Sequence, residues 1–249
     1  MESQEYAIEE AVQQHHWWFN GRRRLLGDLV SRYGKGKKLG LIVDVGCGVG
    51  ANSSALRPYA ETIVGVDPDA DAVSFCRNKS YDSVIQSSLE DFSVESLPKK
   101  ADMVVAMDIL EHLPNDALGI AKIVDLLTET GVAIITVPAY QFLFGFQDEV
   151  GHHYRRYDKK RLFELMHVAK LKIVDWSYFN SWLFLPIVFV RLAMRVWKPK
   201  DIRSESQLNN RWINWLLSKF FNLEIFTIVN GARYPFGISL LVVVKRDFD

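Results

Sequence analysis

The chain's most chemically suggestive stretch is Asp44-Val45-Gly46-Cys47-Gly48-Val49-Gly50. Glycines at alternate positions let a backbone turn sharply and let a ligand come close to its amides. That spacing alone is shared by many nucleotide-binding proteins. Asp67 follows about twenty residues later at the end of an apolar run, where a carboxylate can accept both ribose hydroxyls of a nucleoside. A dinucleotide fingerprint places two residues between its last two glycines, so that a helix packs beneath the pyrophosphate. Here the last spacing is one residue, which suits an adenosyl ligand without a pyrophosphate.

A second group is Asp108-Ile109-Leu110-Glu111-His112, joined later by Gly151-His152-His153-Tyr154-Arg155-Arg156-Tyr157. Two carboxylates three residues apart, an adjacent histidine and a distant one suit either a hard-cation site, with Asp108, Glu111, His112 and His153 as ligands, or general-base chemistry by His112 or His153. Helix capping by Glu111 and His112 is the plainer alternative. A third stretch, His15-His16-Trp17-Trp18-Phe19-Asn20-Gly21-Arg22-Arg23-Arg24, sets rings beside cations and reads as a lid over a ligand or as an interfacial anchor. Its arginines suit a phosphate or a carboxylate.

Strands must hold these groups. Leu39–Val45, Thr62–Val66, Ser83–Gln86, Ala101–Met107 and Gly131–Val137 read as short buried strands. Helices are expected from about Asn52 to Tyr59, Ala70 to Lys79 and Pro114 to Thr128. That alternation predicts a doubly wound parallel sheet, whose strand ends bind ligands. Two further strands, Leu171–Tyr178 and Ile238–Lys245, bring the count to seven. Between them, roughly 182–230, lies an aromatic and aliphatic insertion. Arg191, Arg195 and Pro186 interrupt its first apolar run, short of the about 20 residues a membrane span needs. It reads either as a packed helical pair or as an apolar lid that meets a membrane surface or a lipid-like substrate. The expected division is an N-terminal helical lid at 1–36 and one domain at 37–249.

Thirty basic and thirty acidic residues balance over 249. Such a chain has no global field to draw nucleic acid, and no nucleic-acid partner is expected. Its two cysteines, Cys47 and Cys76, suit reduced thiols, and the acidic N-terminus lacks a secretory pattern. A cytoplasmic location follows as an expectation, with peripheral contact at the cytoplasmic face of a membrane. Nothing in the sequence addresses oligomeric state.

Taken in order, Asp44-Val-Gly-Cys-Gly-Val-Gly50, Val64-Gly-Val-Asp67-Pro68, Ser88-Leu-Glu-Asp-Phe92 and Met107-Asp-Ile-Leu-Glu-His-Leu113 resemble the successive motifs of class I S-adenosylmethionine-dependent methyltransferases. The resemblance implies a Rossmann-like fold and S-adenosyl-L-methionine as cofactor. It places Asp44, Gly46, Gly48 and Gly50 at the methionine end, Asp67 at the ribose, Ser88 and Leu89 beside the adenine, and Met107 and Asp108 beneath the methionine. Ser88 stands where many relatives carry an aspartate. The segment from Asp108 also resembles the metal-dependent quinone-synthesis O-methyltransferases and RNA 3′-end 2′-O-methyltransferases, whose Glu-x-x-Glu-His binds a divalent ion. That implies Mg2+ or Mn2+, with Asp108 replacing the first glutamate. With the aromatic-basic stretch, Gly151–Tyr157, Ser177-Tyr-Phe-Asn180 and Pro235-Phe-Gly-Ile-Ser-Leu240, the chain is similar to a bacterial methyltransferase-domain group tied to surface polysaccharide or glycolipid synthesis. The acceptor then expected is a sugar or glycan hydroxyl, lipid-linked or not; the alternatives are an apolar small molecule such as a quinone precursor, or no catalysis at all in a methyltransferase-like scaffold.

Overall fold

The structure is a computed structural model, and it describes residues 12–197 and 210–247. Seven strands form one sheet: β1 (Leu39–Val45), β2 (Ala60–Asp67), β3 (Ser83–Gln86), β4 (Ala101–Met107), β5 (Leu127–Pro138), β6 (Leu171–Phe179) and β7 (Ser239–Arg246). Their spatial order is β3-β2-β1-β4-β5-β7-β6. The first five pair in parallel, while β7 runs antiparallel to both β5 and β6. The order reverses direction at β1, so the ends of β1 and β4 flank the crevice where such sheets take ligands.

The central strands read as continuous apolar runs because both sheet faces are covered. Leu41, Val43 and Val45 enter one core, while Ile42 enters the other, as the two-residue alternation of a strand requires. Each such side chain is fully or almost fully buried, and truncating one to alanine costs about 2–5 kcal/mol. Three helices, α1 (Trp17–Tyr33), α2 (Ser53–Leu56) and α3 (Ala70–Cys76), precede β3. Then come α4 (Asp116–Leu126), α5 (Phe146–Val150), α6 (Lys159–Val168), α7 (Phe184–Trp197) and α8 (Arg211–Val229).

Three boundaries differ most from the sequence expectation. The helix expected over 52–59 stops at Leu56 and tightens to a 3-10 turn at Arg57–Tyr59, where Pro58 has no amide to donate. The third helix ends at Cys76 instead of Lys79. β5 begins at Leu127, inside the expected helix, because Leu127 pairs with Ala101 across a register shift.

α1 and α8 pack together over the Ile42 face of the sheet. Gly21 makes that approach possible: a Cβ there would lie 2.2 Å from Cδ1 of Phe221 on α8. Trp18, Phe221 and Phe179 form a cluster of near-parallel rings, Trp18 lying 5.3 Å from Phe221 and 5.7 Å from Phe179, with those two 6.3 Å apart. His16 caps α1 by accepting the Trp18 amide, and Asn210 caps α8 through the Trp212 amide. The expected lid at 1–36 thus contains α1, with 1–11 outside the described residues. The expected insertion at 182–230 contains α7 and α8, with 198–209 outside them. No helix among the described residues is long and apolar enough to cross a membrane.

Candidate active site

The turn after β1 is built as its glycines predict. Gly46, Gly48 and Gly50 have φ of 67°, 51° and 79°, a region that side chains avoid. A Cβ on Gly46 would also sit 1.8 Å from Cδ1 of Ile109, so the turn closes directly on the loop after β4. The amides of Gly46 and Cys47 both donate to the Val66 carbonyl, at 2.7 and 3.1 Å, which ties the turn to β2. Asp67, at the end of β2, accepts the Gly48 amide at 2.8 Å and the Asp69 amide at 3.0 Å. Burial raises its carboxyl above the ordinary value despite those bonds. Cys47 and Cys76 are free and buried beneath the turn.

A cavity of about 530 Å³ opens over this turn. Gly46, Asp67, Ser88, Leu89, Met107 and Asp108 line it, as the resemblance implies, and His112 reaches it as well. Asp44, Gly48 and Gly50 do not line it. Asp44 is fully buried and turned to Tyr81, whose hydroxyl donates at 2.6 Å, and to Asn52 at 3.4 Å. Burial pushes its carboxyl up to about 6, against the lowering pull of those two bonds. Its place is therefore behind the turn, as a brace. α1 closes the cavity from above through Phe19, Arg22 and Arg23. Arg22 pairs with Asp108 at 2.6 Å and lies 5.6 Å from the centre of the Trp18 ring.

A second cavity, of about 580 Å³, adjoins the first, and Phe19 and Asp108 belong to both. Its walls come from α1, α7, α8 and the start of β7. Leu183, Pro186, Ile187, Val190, Leu217 and Ile238 make them apolar. Glu111, Gln147, His153 and Asn180 supply polarity at one side. Glu111 is fully buried, and neither carboxylate oxygen has a hydrogen-bond partner among the described residues. Burial, and then the charge of Asp108, hold its carboxyl well above the ordinary value.

The Gly151–Tyr157 segment holds this region in place. The Tyr154 amide donates to the Glu111 carbonyl at 2.8 Å, and the Tyr157 hydroxyl donates to the Leu110 carbonyl at 3.0 Å. Arg155 donates to the carbonyls of Leu113 and Pro114. Arg156 and His153 converge on fully buried Asp148, at 2.8 and 2.9 Å. Burial alone would raise the Asp148 carboxyl; bonds from His153 and Arg156 and the charge of Arg156 overcome it and hold it at about 2. Asp148 therefore fixes the His153 ring through Nδ1. The His112 ring meets His153 edge-on with centroids 4.5 Å apart. Burial, followed by the His153 charge, lowers His112 to about 4 and keeps it neutral near pH 7.

Of the four expected metal ligands, three come together: Glu111, His112 and His153 each offer a ligand atom, all within 4.8 Å of one another. Asp108 lies outside this set. Its φ of 57° swings its carboxylate to Arg22 and to the Thr136 hydroxyl at 2.9 Å. Two imidazoles and a carboxylate with unmet oxygens fit a divalent ion, and they suit Mn2+ better than Mg2+, which prefers oxygen ligands. Asp148, Gln147 and Tyr81 were not legible as site residues. Each reaches its place by tertiary folding and stands in no motif of its own.

Comparison with known proteins agrees with this geometry. A family model described as "Methyltransferase domain" matches residues 18–181. The ubiquinone biosynthesis O-methyltransferase of Glaesserella parasuis is 29% identical over 109 residues, which cover 41% of this chain and 45% of that protein. The protein of the same name from Xanthomonas campestris is 26% identical over 154 residues, 55% of this chain and 64% of the relative. The chain spans about half the length of the curated relatives it matches. The crystal structure of a SAM-dependent methyltransferase from Archaeoglobus fulgidus superposes with a TM-score of 0.55 at 18% identity, covering 90% of this chain and 94% of that one. With its seven-stranded sheet, its glycine turn and a family match over more than half its length, the chain belongs to the methyltransferase-domain family, on the class I S-adenosylmethionine-dependent fold.

Proposed function

We propose that this protein transfers the methyl group of S-adenosylmethionine to a hydroxyl of an apolar small molecule of the quinone-precursor class. The observation that carries the reading is the pair of adjoining cavities, one over the glycine turn and Asp67, the other walled by aliphatic side chains, with Asp108 and Phe19 at their junction. The name of the Glaesserella parasuis relative points to the same acceptor class. A sugar or glycan hydroxyl, the first expectation from the sequence, would need hydrogen-bonding groups along the acceptor walls. Glu111, Gln147, His153 and Asn180 offer some, whereas Leu183, Ile187, Val190 and Leu217 offer none and suit an apolar body better.

In this reading Asp67 takes the ribose hydroxyls, Ser88 and Leu89 border the adenine, and Gly46, Met107 and Asp108 border the methionine portion. The acceptor lies in the second cavity with its hydroxyl toward the junction. His112, neutral at working pH, receives the hydroxyl proton as the oxygen attacks the sulfonium methyl in line. His153, fixed through Nδ1 by Asp148, leaves Nε2 to exchange that proton, and Glu111 hydrogen-bonds the acceptor head. If a divalent ion binds, Glu111, His112 and His153 would hold it, and it would lower the pKa of a hydroxyl.

The test supplies methyl-labelled S-adenosylmethionine to the full chain with an alkyl-substituted catechol or an alkyl glucoside as acceptor probe. Label is expected in the catechol product. Label in the glucoside alone would sink the acceptor assignment, and no binding of the donor would sink the function itself. In parallel, loss of transfer in EDTA with recovery in Mn2+ supports the cation; full transfer in chelator assigns proton removal to the histidines alone.

A further inference from the structure

Helices α7 and α8 carry an apolar surface that neither the sheet nor the donor cavity uses. On α8, Phe221, Ile225 and Ile228 repeat at three- and four-residue intervals and enter the core. The opposite stripe, Trp212, Leu216, Phe220, Leu223 and Phe226, repeats in the same way and is between 44% and 78% exposed. Leu183, just before α7, and Ile187 and Val190 on it line the acceptor cavity, while Leu185 and Phe189 face outward at 73% and 76% exposure. Trp182 and Phe220 meet with ring centroids 6.0 Å apart, which joins the start of α7 to the middle of α8. Single exposed apolar residues are ordinary, but two continuous stripes mark a surface for a partner.

Charge narrows the partner. The two helices carry one acidic residue, Glu224, and it is buried, accepting the Ser181 amide at 2.8 Å. Arg211 and Lys219 are exposed beside the stripe, with Lys219 Nζ 5.8 Å from the centre of the Trp215 ring. Tryptophan flanked by cations, on helices that do not span, is the composition of an interfacial membrane helix. A second copy of this chain would bring its own Arg211 and Lys219 to the face and no acid to meet them.

We infer that the α7–α8 face docks on the surface of an anionic phospholipid bilayer. Its tryptophans lie at the headgroup level, and Arg211 and Lys219 lie against lipid phosphates. Val190 both lines the acceptor cavity and is 49% exposed, so the cavity meets this face. An apolar acceptor then passes from bilayer to cavity without crossing water. That passage rests on the proposed function; the docking does not.

The experiment is flotation of the full chain with vesicles of phosphatidylcholine alone and of phosphatidylcholine mixed with phosphatidylglycerol. The wild type is expected to float with the mixed vesicles and less with the neutral ones. The W212S/W215S double variant should lose at least about tenfold in vesicle affinity, because two indoles are withdrawn from an apolar interface. Adenosylhomocysteine binding, measured on each variant, separates lost docking from lost fold, and R211E/K219E provides an independent variant should the tryptophan one not fold. A wild type that stays with the unbound fraction, or variants that float equally well, would overturn the docking. So would a dimer in solution that the same variants dissociate, which would assign the face to a second copy. Vesicle binding without methyl transfer upholds docking and sinks the proposed function, and transfer without vesicle binding does the reverse.

Discussion

Two aspartates near the glycine turn carry opposite duties, and their surroundings set the difference. Asp67 lines the donor cavity and is 8% exposed, so its carboxylate can meet a ligand. Removing it in Asp67→Ala takes away an ionised acceptor for two hydroxyls, and such bonds are worth about 1.5–3 kcal/mol. Calorimetry with adenosylhomocysteine should show affinity falling by about 10- to 100-fold; unchanged affinity would remove Asp67 from the ribose site. Asp44 has no such access, and its effect is on stability. Its folded carboxyl titrates at about 6 against 3.8 in the ordinary state, so the folded form holds a proton that the unfolded form has lost between those values. Stability from this group is therefore undiminished below about pH 4 and falls as pH rises to about 6, by up to ~3 kcal/mol. Asp44→Asn, which keeps an acceptor for Tyr81, should raise the unfolding midpoint near pH 7 and leave it unchanged near pH 4. Equal shifts at both pH values would mean that the charge is not the cause.

At the scale of elements, α1 decides whether there is a site at all. It supplies Phe19, Arg22 and Arg23 to the donor cavity and Trp17 and Trp18 to the acceptor cavity. Its position depends on the absent side chain at Gly21. Gly21→Ala would push a methyl into the Phe221 ring, an overpacking that costs about 1–3 kcal/mol. Denaturant unfolding should report that loss, and adenosylhomocysteine affinity should fall with it although residue 21 lines neither cavity. Full retention of affinity would show that α1 does not shape the donor site. The strands were legible because burial on both faces writes an unbroken apolar run, and the β1 turn because only glycine tolerates its φ values. The helix ends were less so: Leu127 reads equally well as the last turn of a helix or the first residue of a strand, and only its pairing with Ala101 decides. The two apolar helices of the insertion were visible as apolar. Which face of α8 would be buried depends on α1, whose Gly21 lies 200 residues before Phe221, and no local pattern carries that.

At the scale of the molecule, the sequence placed Glu111, His112 and His153 together because β4 and β5 end at the same edge, and the fold brings these residues within 4.8 Å. It also grouped Asp108 with them, since spacing says nothing about a backbone that turns to positive φ and gives its carboxylate to Arg22. Asp148 escaped notice for the converse reason. A carboxylate in the middle of Gln147-Asp148-Glu149 looks like a solvated surface until Arg156 and His153 fold over it.

The wall that α1 shares between the two cavities has a thermodynamic consequence. A helix that forms part of both binding surfaces cannot settle against one ligand without altering the surface offered to the other. Donor and acceptor are then linked ligands: whatever factor the first adds to the affinity of the second, the second returns to the first. Because α1 also packs on α8, whose outer stripe faces the proposed bilayer, the lipid becomes a third member of the same linkage. Occupancy of any one of the three reports on the other two, through a single helix.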